Sequence, residues 1–598
     1  MNEKERKRLY SSVTKPSRYT GGEFNLPDFS KNGVEVRACF CFPDVYEIGM
    51  SNLGLRILYH MLNEREDCTA ERCFMPWVDL YQKLKENNLP LTAIESGDEL
   101  KKFDLIGFSI QYELAYTNVV AMLDLAGLEY FAKDRKESDP LIIAGGPCMA
   151  NPEPYADFFD AMTVGEGEES LDQIVDEIKK AKREGISKGE LLKRLCSIKG
   201  VIVPSLDKQI YDGDKIVGFS RTVQKAVVKD FDKAYFPTKI LIPNLEIVHD
   251  RAVLELYRGC SNGCRFCQAG FYYRPIRSRS LNTLCKQGEE LIKNNGFEEL
   301  SLSSLSTGDY PGLIKLLEHL KKAGEGKTKI SLPSLRVDSF ESVFAQEARK
   351  SSLTFAPEAG TDRLRAVINK NITKEDIDKS VISAFKLGYS SVKLYFMLGL
   401  PTETDEDVLA IADVVRRIIE LYKVHKTTSR NLNITVSTSI FIPKPVTPFQ
   451  WERFITKEEF THKLTLLREK LRIRGVNYNW HDYETSFMEA VLARGDRKLS
   501  KVIVEAFKLG QFFDSWSEYF DIERWIQAGK NCGVDLFSYT SERNPEDNMP
   551  FDYIDCGVKK EYMLSERELA YNEKTTKNCL EGCNGCGANK YGRCSLCC

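Results

Sequence analysis

The run LELYRGCSNGCRFCQAGFYYRP, residues 254–275, decides how the rest of the chain is read. It opens as an apolar strand and breaks into a short loop holding Cys260, Cys264 and Cys267 in Cys-x3-Cys-x2-Cys spacing. Three thiolates in one loop can take three irons of a cubane cluster and leave the fourth iron open. Gly259 and Gly263 let such a loop close tightly. The alternative is a structural zinc loop. Zinc normally takes four protein ligands, often two Cys-x-x-Cys pairs, and here the fourth would come from Cys285 or His249. Spacing after a strand favours the cluster.

Downstream, ELSLSSLS, KISLPSL, SLTFAP, SVKLYFMLGL and NITVSTSIFIP read as further strands separated by helical patterns. Six successive βα units over residues 246–480 predict a partial (β/α)6 barrel of the TIM type, with chemistry at the C-terminal strand ends. Upstream, VEVRACFCF, DLIGFSI and PLIIAGGP are strands alternating with amphipathic helices. That alternation means βαβ units and a parallel, Rossmann-like sheet over residues 31–200. Residues 1–30 read as a polar arm and 201–245, with prolines 204, 237 and 243, as a connector. Residues 481–575 read as helical and 576–598 as a Cys-rich tail. The fold class is therefore α/β.

The chain has 598 residues, too many for one core. Its formal net charge of −3 gives no overall basic field toward nucleic acid or anionic lipid. The opening MNEKERKRLYSS is charged, unlike a secretory signal. No segment approaches the ~18 apolar residues of a membrane span. A cytoplasmic protein with no membrane partner is expected. In that setting its 18 cysteines point to metal rather than disulfides. Scattered ones such as Cys39, Cys41, Cys68 and Cys73 read as small buried hydrophobes.

CSNGCRFC resembles the signature loop of radical S-adenosylmethionine enzymes. The resemblance implies a [4Fe-4S] cluster on Cys260, Cys264 and Cys267, whose open iron chelates S-adenosylmethionine, and reductive cleavage to a 5′-deoxyadenosyl radical. It implies that Phe266 lies beside the adenine and that the second-strand segment, with Thr307, Gly308 and Asp309, meets the methionine amine. APEAGTDRLR would bring Glu358 to the ribose or carboxylate. MLGLPTETDED resembles the Gly-Leu-Pro-x-Glu-Thr element that ends the fifth strand (Gly399, Leu400, Pro401, Glu403). FIPKPVTPFQW fits the sixth-strand exit.

The domain order resembles a family in which a cobalamin-binding, Rossmann-like domain is fused ahead of the radical core. The segments carrying this are FPDVYEIGMSNLG, GFSIQYEL, IIAGGPCMANPEP and VGEGEE. The cobalamin fold's Asp-x-His-x-x-Gly appears here as Asp44, Tyr46 and Gly49. A phenol is a poor cobalt ligand beside imidazole. Either cobalamin binds with no lower protein ligand, or the domain keeps only the scaffold. The resemblance places Ser109, Gly145 and Gly146 against the corrin or its nucleotide tail.

The tail, CLEGCNGCGANKYGRCSLCC, repeats the loop spacing with Cys579, Cys583 and Cys586, and adds Cys594. A closed zinc site or an auxiliary iron–sulfur cluster both fit, and a zinc-knuckle contact with RNA is a further reading. Arg274, Arg277 and Arg279 are candidates for an anionic substrate or the cofactor carboxylate. His249-Asp250-Arg251 and His481-Asp482-Tyr483-Glu484 read as structural.

The expected activity is reductive cleavage of S-adenosylmethionine and hydrogen abstraction from an unactivated carbon, extended to C-methylation if cobalamin binds. It needs a reducing electron donor. A methylthiotransferase acting on RNA or ribosomal protein is the nearer alternative, with the tail supplying the second cluster those enzymes need. A non-catalytic iron–sulfur or zinc scaffold for RNA or protein is the other class. The substrate is not legible in the sequence.

Overall fold

A computed structural model describes residues 3–213, 215–332, 353–592 and 594. Cys597, Cys598 and the end of the KISLPSL run lie outside the described residues.

The first sheet contains β1 (Val36–Phe42), β2 (Cys68–Phe74), β3 (Leu105–Ser109), β4 (Leu141–Gly145), β5 (Ala161–Thr163) and β6 (Val201–Ile202). Their order is β2-β1-β3-β4-β5-β6, parallel except for β6. The strands are short and almost wholly buried, β1, β3 and β4 as largely apolar runs and β2 with Glu71 and Arg72 buried in it, as expected for a sheet covered on both faces. Between them, helix Leu53–Glu64 starts where the Asn52 side chain accepts from the Leu55 N–H. Helix Gly167–Glu184 ends on Gly185 in the left-handed conformation. The strand order reverses between β1 and β3. In open α/β sheets the crevice outside the strands' carboxyl ends at such a switch point is where ligands bind.

The N-terminal arm is not a free appendage. Tyr10 and Val13 are buried in the domain core. Arg18 is buried against Glu47, and Glu23 receives the Tyr46 hydroxyl at 2.9 Å and pairs with Arg72. Its charged residues find partners in the first domain, a relation that composition does not encode.

In the connector β6 completes the first sheet, and β7 (Gln209–Asp212) and β8 (Lys215–Phe219) form a hairpin ahead of β9 (Val223–Gln224). The second region follows with β10 (Ala252–Glu255), β11 (Tyr257–Arg258), β12 (Arg277–Ser278), β13 (Glu299–Ser303), β14 (Lys329–Ser331), β15 (Leu353–Glu358), β16 (Ser391–Leu398), β17 (Asn433–Ile440) and β18 (Val476–Trp480). All six expected strands are present, and each pairs in parallel with its successor within two sheets, β10-β13-β14 and β15-β16-β17-β18. Among the described residues no pairing joins β14 to β15, so a continuous barrel is not what the hydrogen bonds define. The strand β18 was not expected. Its sequence, VNYNW, is polar and largely solvent-facing at a sheet edge, so it lacks an apolar signature. Capping boxes at Thr373, Thr404 and Thr456 start three of the crossover helices.

The C-terminal helices Tyr483–Arg494 and Leu499–Lys508 lead onto the first domain rather than away from it. Asn151 donates to the carbonyls of Ala493 and Gly495, and Arg497 pairs with Glu153 at 2.9 Å. The short β19 (Ile554–Asp555) pairs with β9. No helix among the described residues is long and apolar enough to cross a membrane.

Candidate active site

β10 and β11 deliver the chain to Gly259, whose φ is +92°. A Cβ at that position would stand 3.0 to 3.2 Å from the Tyr273 and Pro275 carbonyl oxygens and the Ile276 Cα, so both backbone angle and space demand glycine. The antiparallel β11–β12 pair ties the two ends of the cysteine loop together. Inside the loop Arg265 is fully buried and reaches outward. It donates to Glu566 at 3.0 Å, to the carbonyls of Ala366 and Val367 at 3.0 and 2.9 Å, and to that of Lys574 at 2.8 Å. Asn369 donates to the Gly263 carbonyl at 3.0 Å.

Cys260, Cys264 and Cys267 are half-buried. The Asn262 amide donates to the Cys260 sulfur at 3.7 Å. Burial pushes the Cys264 thiol up to about 12, against the pull of Lys370, with Cys267 and Cys260 adding to the rise. Burial raises Cys267 as well. Metal binding there must therefore displace protons. Among the described residues no three His, Cys, Asp or Glu side chains close on one point as a single ion requires. The proposed fourth zinc ligands are elsewhere: the His249 backbone binds Ser51, and Cys285 packs on the β10–β13 core.

Some of the residues expected to meet the cofactor lie near this loop, whereas Gly399 and Pro401 line a separate pocket with Glu452, Arg453 and Tyr571. Phe266 packs against a buried apolar cluster that includes Met397, Leu400, Phe441 and Phe449. Thr307, Gly308 and Asp309 form a single turn after β13, and Asp309 accepts from the Ser261 hydroxyl at 2.7 Å. Glu358 ends β15 with φ +66° and meets Lys370 at 3.3 Å. Burial raises its carboxyl against the pull of Lys370. Burial draws the Lys370 ammonium down, but Glu358 and the Cys264 and Cys267 sulfurs outweigh it and leave its pKa raised. Lys370 was missed in the sequence; the signal was its place just after the APEAGTDRLR segment. Gly399 has φ +84° and donates its N–H to Glu403 at 2.8 Å. Glu403 in turn holds Lys463 at 2.7 Å, so it braces the turn that carries Gly399, Leu400 and Pro401.

Arg277 is committed to Glu166, while Arg279 lies over Phe231 and gives one terminal nitrogen to the Ala234 carbonyl at 3.0 Å. Asp482 caps the helix Tyr483–Arg494, in keeping with a structural role.

A cavity of about 420 Å³ lies between the first domain and the cysteine loop. Ser109, Gly145 and Gly146 line it at the carboxyl ends of β3 and β4, as do Phe40, Leu58 and Leu171. The opposite wall is Arg258, Gly259, Tyr272, Tyr273 and residues 303–305. Gly259 is the direct neighbour of Cys260. The Tyr272 hydroxyl accepts from the Gly165 N–H at 3.0 Å and fastens the two walls. A glycine floor with apolar sides suits a large flat ligand. Among the described residues no histidine, methionine or cysteine lines it. The glycines also serve the backbone: a Cβ on Gly146, φ +119°, would meet the Ile110 carbonyl oxygen at 2.2 Å.

Asp44, Tyr46 and Gly49 are not at this cavity, a correction to their expected role. Tyr46 is 2 % exposed, with its hydroxyl given to Glu23 of the arm. Asp44 is buried and accepts from Tyr112, from the Val45 N–H at 2.7 Å and from Trp516 at 3.3 Å. Gly49 leaves room for the Phe74 ring, which a Cβ would meet at 2.3 Å. The arm and the C-terminal helices have built these positions into the core.

The tail sits on the cysteine loop. The Cys579 N–H donates to the Ser261 carbonyl at 2.9 Å, and the Asn578 amide to Asn262 at 3.0 Å.

Residues 54–204 match the family described as "Radical SAM proteins, N-terminal", and residues 254–415 match the "Radical SAM superfamily". An uncharacterized protein of Methanocaldococcus jannaschii is 32 % identical over 466 residues, covering 77 % of this chain and 89 % of its own. A ribosomal protein uS12 methylthiotransferase of Thermoanaerobacter is 27 % identical over 168 residues, 26 % of this chain and 38 % of its own. A probable threonylcarbamoyladenosine tRNA methylthiotransferase of Archaeoglobus fulgidus is 26 % identical over 169 residues, 26 % of this chain and 39 % of its own. The chain thus spans about two fifths of these methylthiotransferases. Among solved structures, the radical S-adenosylmethionine methyltransferase TsrM of Kitasatospora setae, with cobalamin and a [4Fe-4S] cluster bound, aligns with TM-score 0.46 and 14 % identity over 67 % of this chain and 74 % of its own. The cobalamin-dependent enzyme OxsB aligns with TM-score 0.45 and 14 % identity over 90 % of this chain and 79 % of its own.

Proposed function

Because this chain belongs to the radical S-adenosylmethionine superfamily, we propose that it cleaves S-adenosylmethionine at a [4Fe-4S] cluster on Cys260, Cys264 and Cys267 and, with a corrin in the adjoining cavity, methylates an unactivated carbon. The observation that carries the reading is the shared wall: Gly259, next to Cys260, faces the same cavity as Ser109 and Gly145 at the switch-point end of the first sheet. Cluster and S-adenosylmethionine supply one-electron chemistry able to open an inert C–H bond, and the corrin a transferable methyl group.

The chain's own residues bind and orient. Lys370, half-buried near Cys264 and Cys267, offers the positive charge that a cofactor carboxylate needs, and Glu358 the negative charge that suits its amine. Asp309, held by Ser261, adds a second acceptor on the loop side. Phe266, Met397, Leu400 and Phe441 form an apolar wall suited to an adenine face. Tyr272 and Tyr273 close the cavity toward the loop and exclude water from the space between the two cofactors. A corrin there would be held by the glycine floor and the apolar side chains around it.

The test is anaerobic purification from cobalamin-fed cells, with corrin extracted and identified by mass. Reductant and S-adenosylmethionine are then added and the nucleoside products followed. Stoichiometric corrin, lost in Ser109→Trp, and cofactor cleavage, lost in Cys260→Ala, are expected. Absence of corrin under conditions that load a known binder sinks the methylation reading. Absence of cleavage in both proteins sinks the catalytic one. A methylthiotransferase reading is favoured by one observation, the tail's second cysteine group resting on the first loop; a corrin-free enzyme with cleavage intact supports it.

A further inference from the structure

Charge is distributed unevenly over the second region. The chain as a whole carries 84 Lys and Arg against 87 Asp and Glu. The segments that lead into β17 and β18, residues 423–432 and 468–475, carry seven Lys and Arg against one glutamate. Lys423, Lys426 and Arg430 stand on the first. Arg468, Lys470, Arg472 and Arg474 stand on the second, and all seven are solvent-exposed. The two segments are neighbours in space. Arg416 of the helix Asp405–His425 donates to the Lys470 carbonyl at 3.4 Å, the Ile434 N–H to the Gly475 carbonyl at 2.9 Å, and the Asn477 amide to Asn433 at 3.2 Å.

Cations in the last turn of a helix complement its dipole, which accounts for Lys423, Arg468 and Lys470. It does not account for Lys426, Arg430, Arg472 and Arg474, which lie beyond the helix ends. Earlier on the first helix Arg416 and Arg417 are answered by Asp413 and Asp378, whereas none of the seven has a carboxylate partner among the described residues. Unanswered cations packed this closely repel one another, and an anionic partner relieves that repulsion.

The sheet edge beside them is also unfilled. β18 pairs only with β17 among the described residues, so its outer edge presents unpaired backbone groups. Its side chains include the exposed amides of Asn477 and Asn479. Trp480 is 41 % exposed, and the Arg468 guanidinium lies over its ring at 5.0 Å. Cations for phosphates, an aromatic face for a base and amides for base edges are what single-stranded RNA requires. An anionic bilayer requires an apolar face, and Val424 alone among the aliphatic residues of these two segments is exposed.

We propose that this basic end and the β18 edge dock single-stranded RNA, with its phosphates on the exposed cations and a base on Trp480. β17 is eight residues long, about 23 Å, and the cations stand at its start, so they are that far from the strand exits. They anchor a polymer and do not touch the reacting carbon. Trp480, the last residue of β18, carries the bound strand toward the exits.

In the experiment the full chain is titrated into a fluorescein-labelled adenosine homopolymer RNA of about 20 nucleotides, and anisotropy is followed over a range of salt. Binding is expected, with the logarithm of affinity falling against that of salt at a slope of about −3 to −5, as roughly four to seven neutralised phosphates require. Arg472→Glu/Arg474→Glu lowers affinity about tenfold or more and makes the slope shallower by about 1.4. Trp480→Ala lowers affinity about tenfold and leaves the slope unchanged. Lys133→Glu/Lys136→Glu, exposed in the first domain, changes neither. Circular dichroism checks that each variant folds. Absence of binding, or a charge-reversed variant that binds with the slope of the full chain, overturns the proposal. So does binding to phosphatidylserine–phosphatidylcholine vesicles, lost in Arg472→Glu/Arg474→Glu, in a chain that ignores the RNA. A chain that lacks corrin or leaves S-adenosylmethionine intact, yet binds the RNA in this way, sinks the proposed reaction and leaves the docking surface standing.

Discussion

Removing the Arg265 side chain should loosen the cysteine loop from both of the segments that clamp it. Arg265 is fully buried and bridges Glu566 to the carbonyls of Ala366, Val367 and Lys574. Arg265→Ala leaves the Glu566 carboxylate, 4 % exposed, without its guanidinium and three carbonyls without their donor. Breaking a buried ion pair from one side costs about 3–5 kcal/mol. The orphaned carbonyls act in the same direction, about 1–3 kcal/mol for each that water cannot reach. A chain of several domains has no single unfolding free energy, so the local quantity is the one to measure. Amide hydrogen exchange on peptides covering 260–272 and 571–580 reads it directly, because the Arg265 N–H is bound to Ile368 and the Thr576 N–H to Asn369. A loss of about 3–5 kcal/mol corresponds to exchange faster by roughly 10²- to 10⁴-fold. The double variant Arg265→Met/Glu566→Leu removes both charges and fills the space, so it should exchange more slowly than Arg265→Ala. Protection unchanged within about threefold in Arg265→Ala, or a double variant worse than the single, would refute the reasoning.

Other outcomes follow from the same geometry. Burial lifts the Asp514 carboxyl to about 6, although Thr117, Trp525 and Gln511 donate to it. Its folded pKa lies above the unfolded value, so its contribution is fully present below about pH 4 and is lost as pH rises through about 6; the loss amounts to about 2–3 kcal/mol. Asp514→Asn should flatten that part of the stability profile, measured by local exchange from pH 4 to 8. Glu403→Ala releases the Gly399 N–H and leaves Lys463 unpaired; S-adenosylmethionine affinity, followed by equilibrium dialysis, should fall about tenfold or more while iron content stays constant. Lys370→Gln should weaken cofactor binding similarly and, by removing a half-buried positive charge beside the proposed cluster, lower its reduction potential in a spectroelectrochemical titration. Gly146→Ala forces a Cβ to 2.2 Å from the Ile110 carbonyl oxygen; the turn must shift, and corrin retention should drop with a loss of stability of about 1–3 kcal/mol.

The cysteine loop and the strands around it were legible because their signals are local. Three thiols at fixed spacing after a strand need no partner to be recognised, and buried parallel strands announce themselves as apolar runs. Ser109, Gly145 and Gly146 were legible for the same reason: each stands where a buried strand ends, and a doubly wound sheet opens its crevice there. Asp44 and Tyr46 failed because their fate is decided by residues far away. A phenol at position 46 reads as a defective ligand until Glu23, on an arm that looks merely polar, accepts its proton. Asp44 likewise accepts from Trp516 and Tyr112. Lys370 was invisible because one lysine after a turn is ordinary; only burial against two thiols and a carboxylate gives it meaning. The strand β18 escaped because an exposed edge strand can be polar on both faces.

The arm and the tail also explain why the cavity lies where it does. The arm and the C-terminal helices seal the Asp44–Gly49 side of the first sheet, so the space left open at the strand ends is the one that faces Gly259. The tail then locks the opposite side of the same loop through Cys579 and Asn578. A loop that must keep a cluster in register with a ligand across the cavity cannot be left as a free hairpin, since small displacements of reacting groups are costly. Here it is held by the adjoining β12, by Arg265 reaching to residues 366–367, 566 and 574, and by the tail. Cutting any one should therefore cost positioning before it costs folding, and the loss would be seen first in cofactor cleavage that proceeds without productive transfer.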